Sequence, residues 1–171
     1  MLASPPTDER ALVLGTNLRL VVIEERPLPL NGWALALERA GFRTAPRSMT
    51  PAQVSAGQLP ADADLLLLRL GPTITPEQVM TALRQQGLNT PVILLCDPSD
   101  EARACAAMQQ GVADYVTSAH EGNLPDVVRR TLEHRRVLEE NQLARLHSSR
   151  GPPQRGGTLA DSGGTGRYVN A

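Results

Sequence analysis

Short apolar runs alternate with amphipathic segments through most of the chain. "LRLVVIEE" (18–25) is apolar until it closes on two acids, which predicts a buried strand. "NGWALALERAG" (31–41), with Trp33, Leu35, Leu37 and a stop at Gly41, predicts a helix. "FRTAPRS" (42–48) is a weak strand that Pro46 confines to an edge. "TPAQVSAG" (50–57) opens as helices do, with Thr50 as cap, Pro51 at the first helical position and Gln53 closing a capping box.

The pattern then repeats. "ADLLLLRL" (63–70) and "PVILLC" (91–96) predict strong strands, and "DYVTS" (114–118) a short last one. "TPEQVMTALRQQG" (75–87) repeats the Thr-Pro-x-Gln helix start, and "SDEARACAAMQQG" (99–111) predicts a helix capped by Ser99. "NLPDVVRRTLEHRRVLEENQLARLH" (123–147) predicts a long final helix.

Strands that alternate with helices at short intervals form βαβ units and a parallel sheet covered on both faces. Five such units predict an α/β, flavodoxin-like (βα)5 doubly wound sheet of strand order 2-1-3-4-5, with an extended C-terminal helix. Chemistry in such folds gathers at the carboxyl ends of the strands. Those ends carry Glu24, Glu25, Arg69, Cys96, Asp97 and Ser118.

The 171 residues suffice for one domain with appendages. We expect an N-terminal arm over 1–17, the α/β domain over 18–138, a helical extension over 139–147 and a disordered Gly/Pro/Ser-rich tail over 148–171. Trp33, Phe42, Tyr115 and Tyr168 are the whole aromatic set, so the core must be aliphatic. A net charge of -1 argues against a dedicated nucleic-acid binder. No apolar stretch is long enough to span a bilayer, and the N-terminus lacks a secretion signal, so a cytoplasmic, membrane-free protein is expected. Cys96 and Cys105 make neither a metal cluster nor a disulfide framework.

Residues 18–138 resemble the receiver domain of bacterial response regulators. "LRLVVIEERP" resembles that family's first strand with its acidic, magnesium-holding pair, "TPVILLCD" its fourth strand, and "AMQQGVADYVTSA" the approach to its fifth. "ERAGFRT" has the same character. The resemblance implies two-component (phosphorelay) signalling, in which an aspartate on strand three accepts a phosphoryl group from a histidine kinase. It also implies a hydroxyl on strand four and a lysine on strand five. Here Glu24 and Glu25 supply the acids, but Arg69 stands at the aspartate position, Cys96 at the hydroxyl and Ser118 at the lysine.

Arginine offers only donors and cannot attack phosphorus, whereas an acyl phosphate needs a carboxylate nucleophile. The expectation is therefore a degenerate receiver, not an enzyme, with no phosphoacceptor at the usual position and no cofactor. Any metal would fall to Glu24 and Glu25, and Arg69 would serve as their internal cation. Asp97, next to the mouth, is the alternative acceptor, with magnesium required only in that case. A second alternative is a small Cys96-dependent enzyme, for which His120, His134 and His147 are poorly placed. Tyr115 resembles the family's switch aromatic. The expected partners are proteins: a histidine kinase, an output protein, or a second copy meeting along the last helix through Leu138, Leu143 and Leu146.

Overall fold

A computed structural model describes residues 17–26 and 32–149. Of the predicted arm (1–17) and tail (148–171), residues 1–16 and 150–171 lie outside the described residues, while Asn17 falls in a strand and residues 148–149 end the last helix. The strands are β1 (Asn17–Leu18), β2 (Leu20–Ile23), β3 (Arg43–Thr44), β4 (Arg47–Met49), β5 (Leu65–Arg69), β6 (Val92–Cys96) and β7 (Asp114–Thr117). The helices are α1 (Gly32–Arg39), α2 (Pro51–Ser55), α3 (Pro76–Gln85), α4 (Glu101–Met108) and α5 (Leu124–Ser149).

Five strands pair in parallel in the order β4-β2-β5-β6-β7, which is the expected 2-1-3-4-5 once β1 and β3 are set aside. β1 and β3 extend the β2–β4 ladder in the same register after a break at Ala45 and Pro46, where proline has no N–H to donate. "FRTAPRS" is thus an edge strand in two pieces.

Every residue of β2 and β6 is buried, as a parallel sheet covered on both faces requires. Val21, Leu66, Leu68 and Leu94 face one core with α2, α3 and α4, whereas Leu20, Leu65, Leu67 and Ile93 face another with α1 and the start of α5. Leu67 and Leu68 are fully buried on opposite faces, so the strand that ends in Arg69 is held from both sides.

Both capping boxes form: Thr50 and Thr75 accept from the backbone N–H of Gln53 and Gln78, whose side chains reciprocate. Two helical expectations change. Ser99 does not cap α4; a 3-10 turn over Pro98–Asp100 precedes it, and Asp100 holds the cap position. Trp33, Ala34 and Leu37 are the buried residues of α1, while Leu35 is exposed, because positions two apart cannot share a helix face.

Asp64 closes the amino end of the central strands. It accepts from the Arg19 backbone N–H at 2.9 Å and pairs with the Arg19 guanidinium at 3.2 Å. The chain divides into two compact units after Arg135. In the second unit α5 continues to Ser149, and Leu138, Leu143 and Leu146 are exposed on it.

Candidate functional site at the carboxyl ends of the strands

The two acids after β2 have different environments. Glu24 continues the ladder, its N–H donating to the Met49 carbonyl at 3.1 Å, and its side chain is buried. Glu24 Oε1 accepts from the Ser48 hydroxyl at 3.4 Å, while Oε2 is buried with no hydrogen-bond partner among the described residues. Burial without a partner is costly for a carboxylate, so this oxygen calls for a cation nearby.

Glu25 lies on the rim. Its Oε1 accepts from both the backbone N–H of Thr73, at 2.7 Å, and the Thr73 hydroxyl, at 2.6 Å. These donors favour the charged form and hold the Glu25 carboxyl below the usual carboxylate value. Gly71 makes room for this arrangement, because a Cβ there would collide with the Glu25 carboxylate.

Arg69 is the last residue of β5, between the acids and the next strand. It lines a cavity of about 240 Å3 together with Glu24, Glu25 and Gly71. On its other side it lines, with Cys96, Asp97 and Ser118, a crevice of only about 20 Å3. That is room for roughly one water. The crevice is closed over by Ser118, whose hydroxyl donates to Asp97 Oδ1 at 3.1 Å.

Cys96 is buried at the end of β6. Burial, reinforced by the Asp100, Glu101 and Asp97 carboxylates, pushes its thiol up to about 11. At neutral pH only about one molecule in ten thousand carries the thiolate, a poor state for a nucleophile. The described hydrogen bond of His120 joins its Nδ1 to the Thr117 hydroxyl at 3.1 Å.

Tyr115, on β7, packs against the core, and its hydroxyl donates to Glu101 Oε1 at 2.9 Å. The Cys105 thiol donates to the Tyr115 hydroxyl oxygen at 3.5 Å. Hydrogen bonding with Cys105 and Glu101 pushes the Tyr115 phenol well above its ordinary value. The aromatic ring is thereby fastened to α4.

Magnesium demands near-octahedral oxygen ligation and is usually held by one or two carboxylates with several waters. No group of three or more His, Cys, Asp or Glu side chains among the described residues is arranged to hold a metal. Glu25 Oε1 is already occupied by two donors, and a guanidinium lines the same cavity.

No family model and no curated protein matches the sequence. Solved structures do match. The signal receiver domain of NarL from Mycobacterium tuberculosis is 25% identical, covers 70% of this chain and 98% of its own, and superposes with a TM-score of 0.53. A response regulator receiver domain protein from Clostridium thermocellum is 16% identical, over 71% of this chain and 98% of its own, at a TM-score of 0.53. RcsB from Salmonella typhimurium is 15% identical, over 69% of this chain and 60% of its own, at 0.54.

The chain has the response-regulator receiver fold.

Within this receiver fold, the structure gathers Glu24, Glu25, Arg69, Cys96, Asp97 and Ser118 at one edge of the sheet. Tyr115 stands apart from that edge, toward α4. Three residues that shape the site escape a reading of the sequence. Thr73 and Gly71 lie in "GPTIT", whose Gly-Pro reads only as a strand stop, and Ser48 lies in the weak edge strand. The usable signal was Gly71 itself, since a glycine directly beyond a strand's carboxyl end marks a close approach.

Proposed function

We propose that this receiver is a degenerate one, acting as a protein-interaction module in two-component signal transduction without phosphorylation at the usual aspartate position. The observation that carries the reading is Arg69 at the end of the central strand, lining one cavity with both acids. The family's acceptor position thus holds a permanent cation that cannot attack phosphorus.

Arg69 serves as the internal counter-charge of the acidic pair. Glu24 Oε2, buried and without a hydrogen-bond partner among the described residues, supports this role. Asp97 shares its crevice with Arg69, and its Oδ1 already accepts from the Ser118 hydroxyl, which disfavours it as a substitute acceptor. The raised thiol value disfavours the Cys96 enzyme. Glu101 fastens Tyr115 to α4, which keeps the α4–β7–α5 face in one arrangement suited to constitutive docking. The partner is a histidine kinase or an output protein, met in the cytoplasm. Among the described residues no helix is long and apolar enough to cross a membrane.

Docking of cell-extract kinases and regulators onto the immobilised chain, with and without acetyl phosphate and magnesium, tests the reading. Binding should be indifferent to the phosphoryl donor. Donor-dependent binding that Asp97→Asn abolishes would establish the Asp97 acceptor instead.

A further inference from the structure

At the amino ends of the strands, opposite to Arg69, a cavity of about 630 Å3 opens beside the broken edge ladder. Its size falls within the range of small-molecule sites, roughly 300–1,000 Å3. The break at Ala45 and Pro46 gives it a mouth, since the ladder pairs Leu18 with Thr44 and Val21 with Arg47 but leaves the residues between them unzipped.

Its electrostatics are asymmetric. Arg19, which lines the cavity, is already paired with Asp64 at 3.2 Å and approaches Asp62 at 3.9 Å. Arg43 and Arg47 also line it; both are exposed, and neither side chain makes a hydrogen bond or ion pair among the described residues. They stand four residues apart along one edge, so their side chains leave the same face. Their Cα atoms are about 13 Å apart at about 3.3 Å per strand residue, a span that two extended arginines close around a small ligand. Val21 and Ala63, which belong to the core on that face, and Pro60 supply apolar wall.

We propose that this cavity binds a small phosphate monoester of about mononucleotide size, with Arg43 and Arg47 holding the phosphate. Two guanidiniums whose side chains are unpaired among the described residues match the charge of a phosphate dianion, and the fork geometry of arginine suits its oxygens. The apolar wall takes the organic portion. The site is separate from the Arg69 edge and does not depend on the reading of that edge.

Titration of the full chain with AMP, GMP, CMP and glucose 6-phosphate, followed by calorimetry, tests the site. Adenosine, guanosine, cytidine and glucose serve as uncharged controls. At least one ester should saturate with a Kd below about 1 mM, with its control at least about tenfold weaker. Arg43→Gln and Arg47→Gln, singly and together, should weaken that ester by about tenfold or more while leaving the thermal transition of the free protein in place. Arg69→Asp should leave it unchanged. Failure of all four esters to saturate, or affinity that survives the double substitution, would overturn the assignment.

Discussion

Ser118 donates its hydroxyl to Asp97 across 3.1 Å and so ties the ends of β6 and β7 together beside Arg69. The receiver resemblance implies a hydroxyl at the first of these ends and a lysine at the second, with the acceptor aspartate on the neighbouring β5. Here the Ser118 hydroxyl meets the Asp97 carboxylate, and Arg69 ends β5 beside them. On the proposed reading the two positions agree physically: a receiver with no phosphoryl group to neutralise needs no cation on β7.

Arg69 should govern metal binding. A unit charge about 5 Å from a divalent ion costs about 6–7 kcal/mol at an effective dielectric near 20, less where solvent enters. Isothermal titration should find wild-type magnesium affinity at least about tenfold weaker than that of Arg69→Asp. Tight magnesium binding by the wild type would dismiss the internal-cation role.

Thr73 should set a pH-dependent part of the stability. The Glu25 carboxyl is held below its ordinary value in the folded chain. Its contribution is therefore present above the unfolded value and disappears as pH falls through the folded one. Thr73→Val should be less stable than wild type at pH 7, with the gap closing as pH drops below about 4.3. Gly71→Ala, which crowds the flexible end of Glu25, should show the same pH signature. Parallel urea melts across that range measure both.

Much of this was legible beforehand, and the limits are instructive. Apolar runs such as Leu65–Leu68 and the paired Thr-Pro-x-Gln starts announced the sheet and its helices because both signals are local. The cap of α4 was misread because Pro98 starts a 3-10 turn that moves the helix start beyond Ser99. The residues at the ends of the strands were legible from topology alone. Their partners were not, since the contact of Glu25 with Thr73 spans 48 positions and leaves no periodic trace.

The two thiols should react differently. Cys105 is exposed, whereas Cys96 is buried with its thiol raised to about 11. Iodoacetamide at pH 7 should label Cys105 first and Cys96 only on unfolding, as peptide mass spectrometry would show. Rapid labelling of Cys96 in the folded chain would revive the cysteine-enzyme reading.

The end of α5 should influence association. Leu138, Leu143 and Leu146 are exposed there at 48%, 57% and 64%. If a second copy docks along this helix, light scattering should give a dimer for the full chain and a monomer for residues 1–137. Equal association states for both would rule out self-association through these leucines.

The most direct test of the central claim is intact mass after incubation with acetyl phosphate and magnesium. On the proposed reading wild type should gain no phosphoryl group, because Arg69 takes the position of the family's acceptor carboxylate. A stoichiometric, hydroxylamine-sensitive phosphoryl adduct on the wild-type chain would contradict the account.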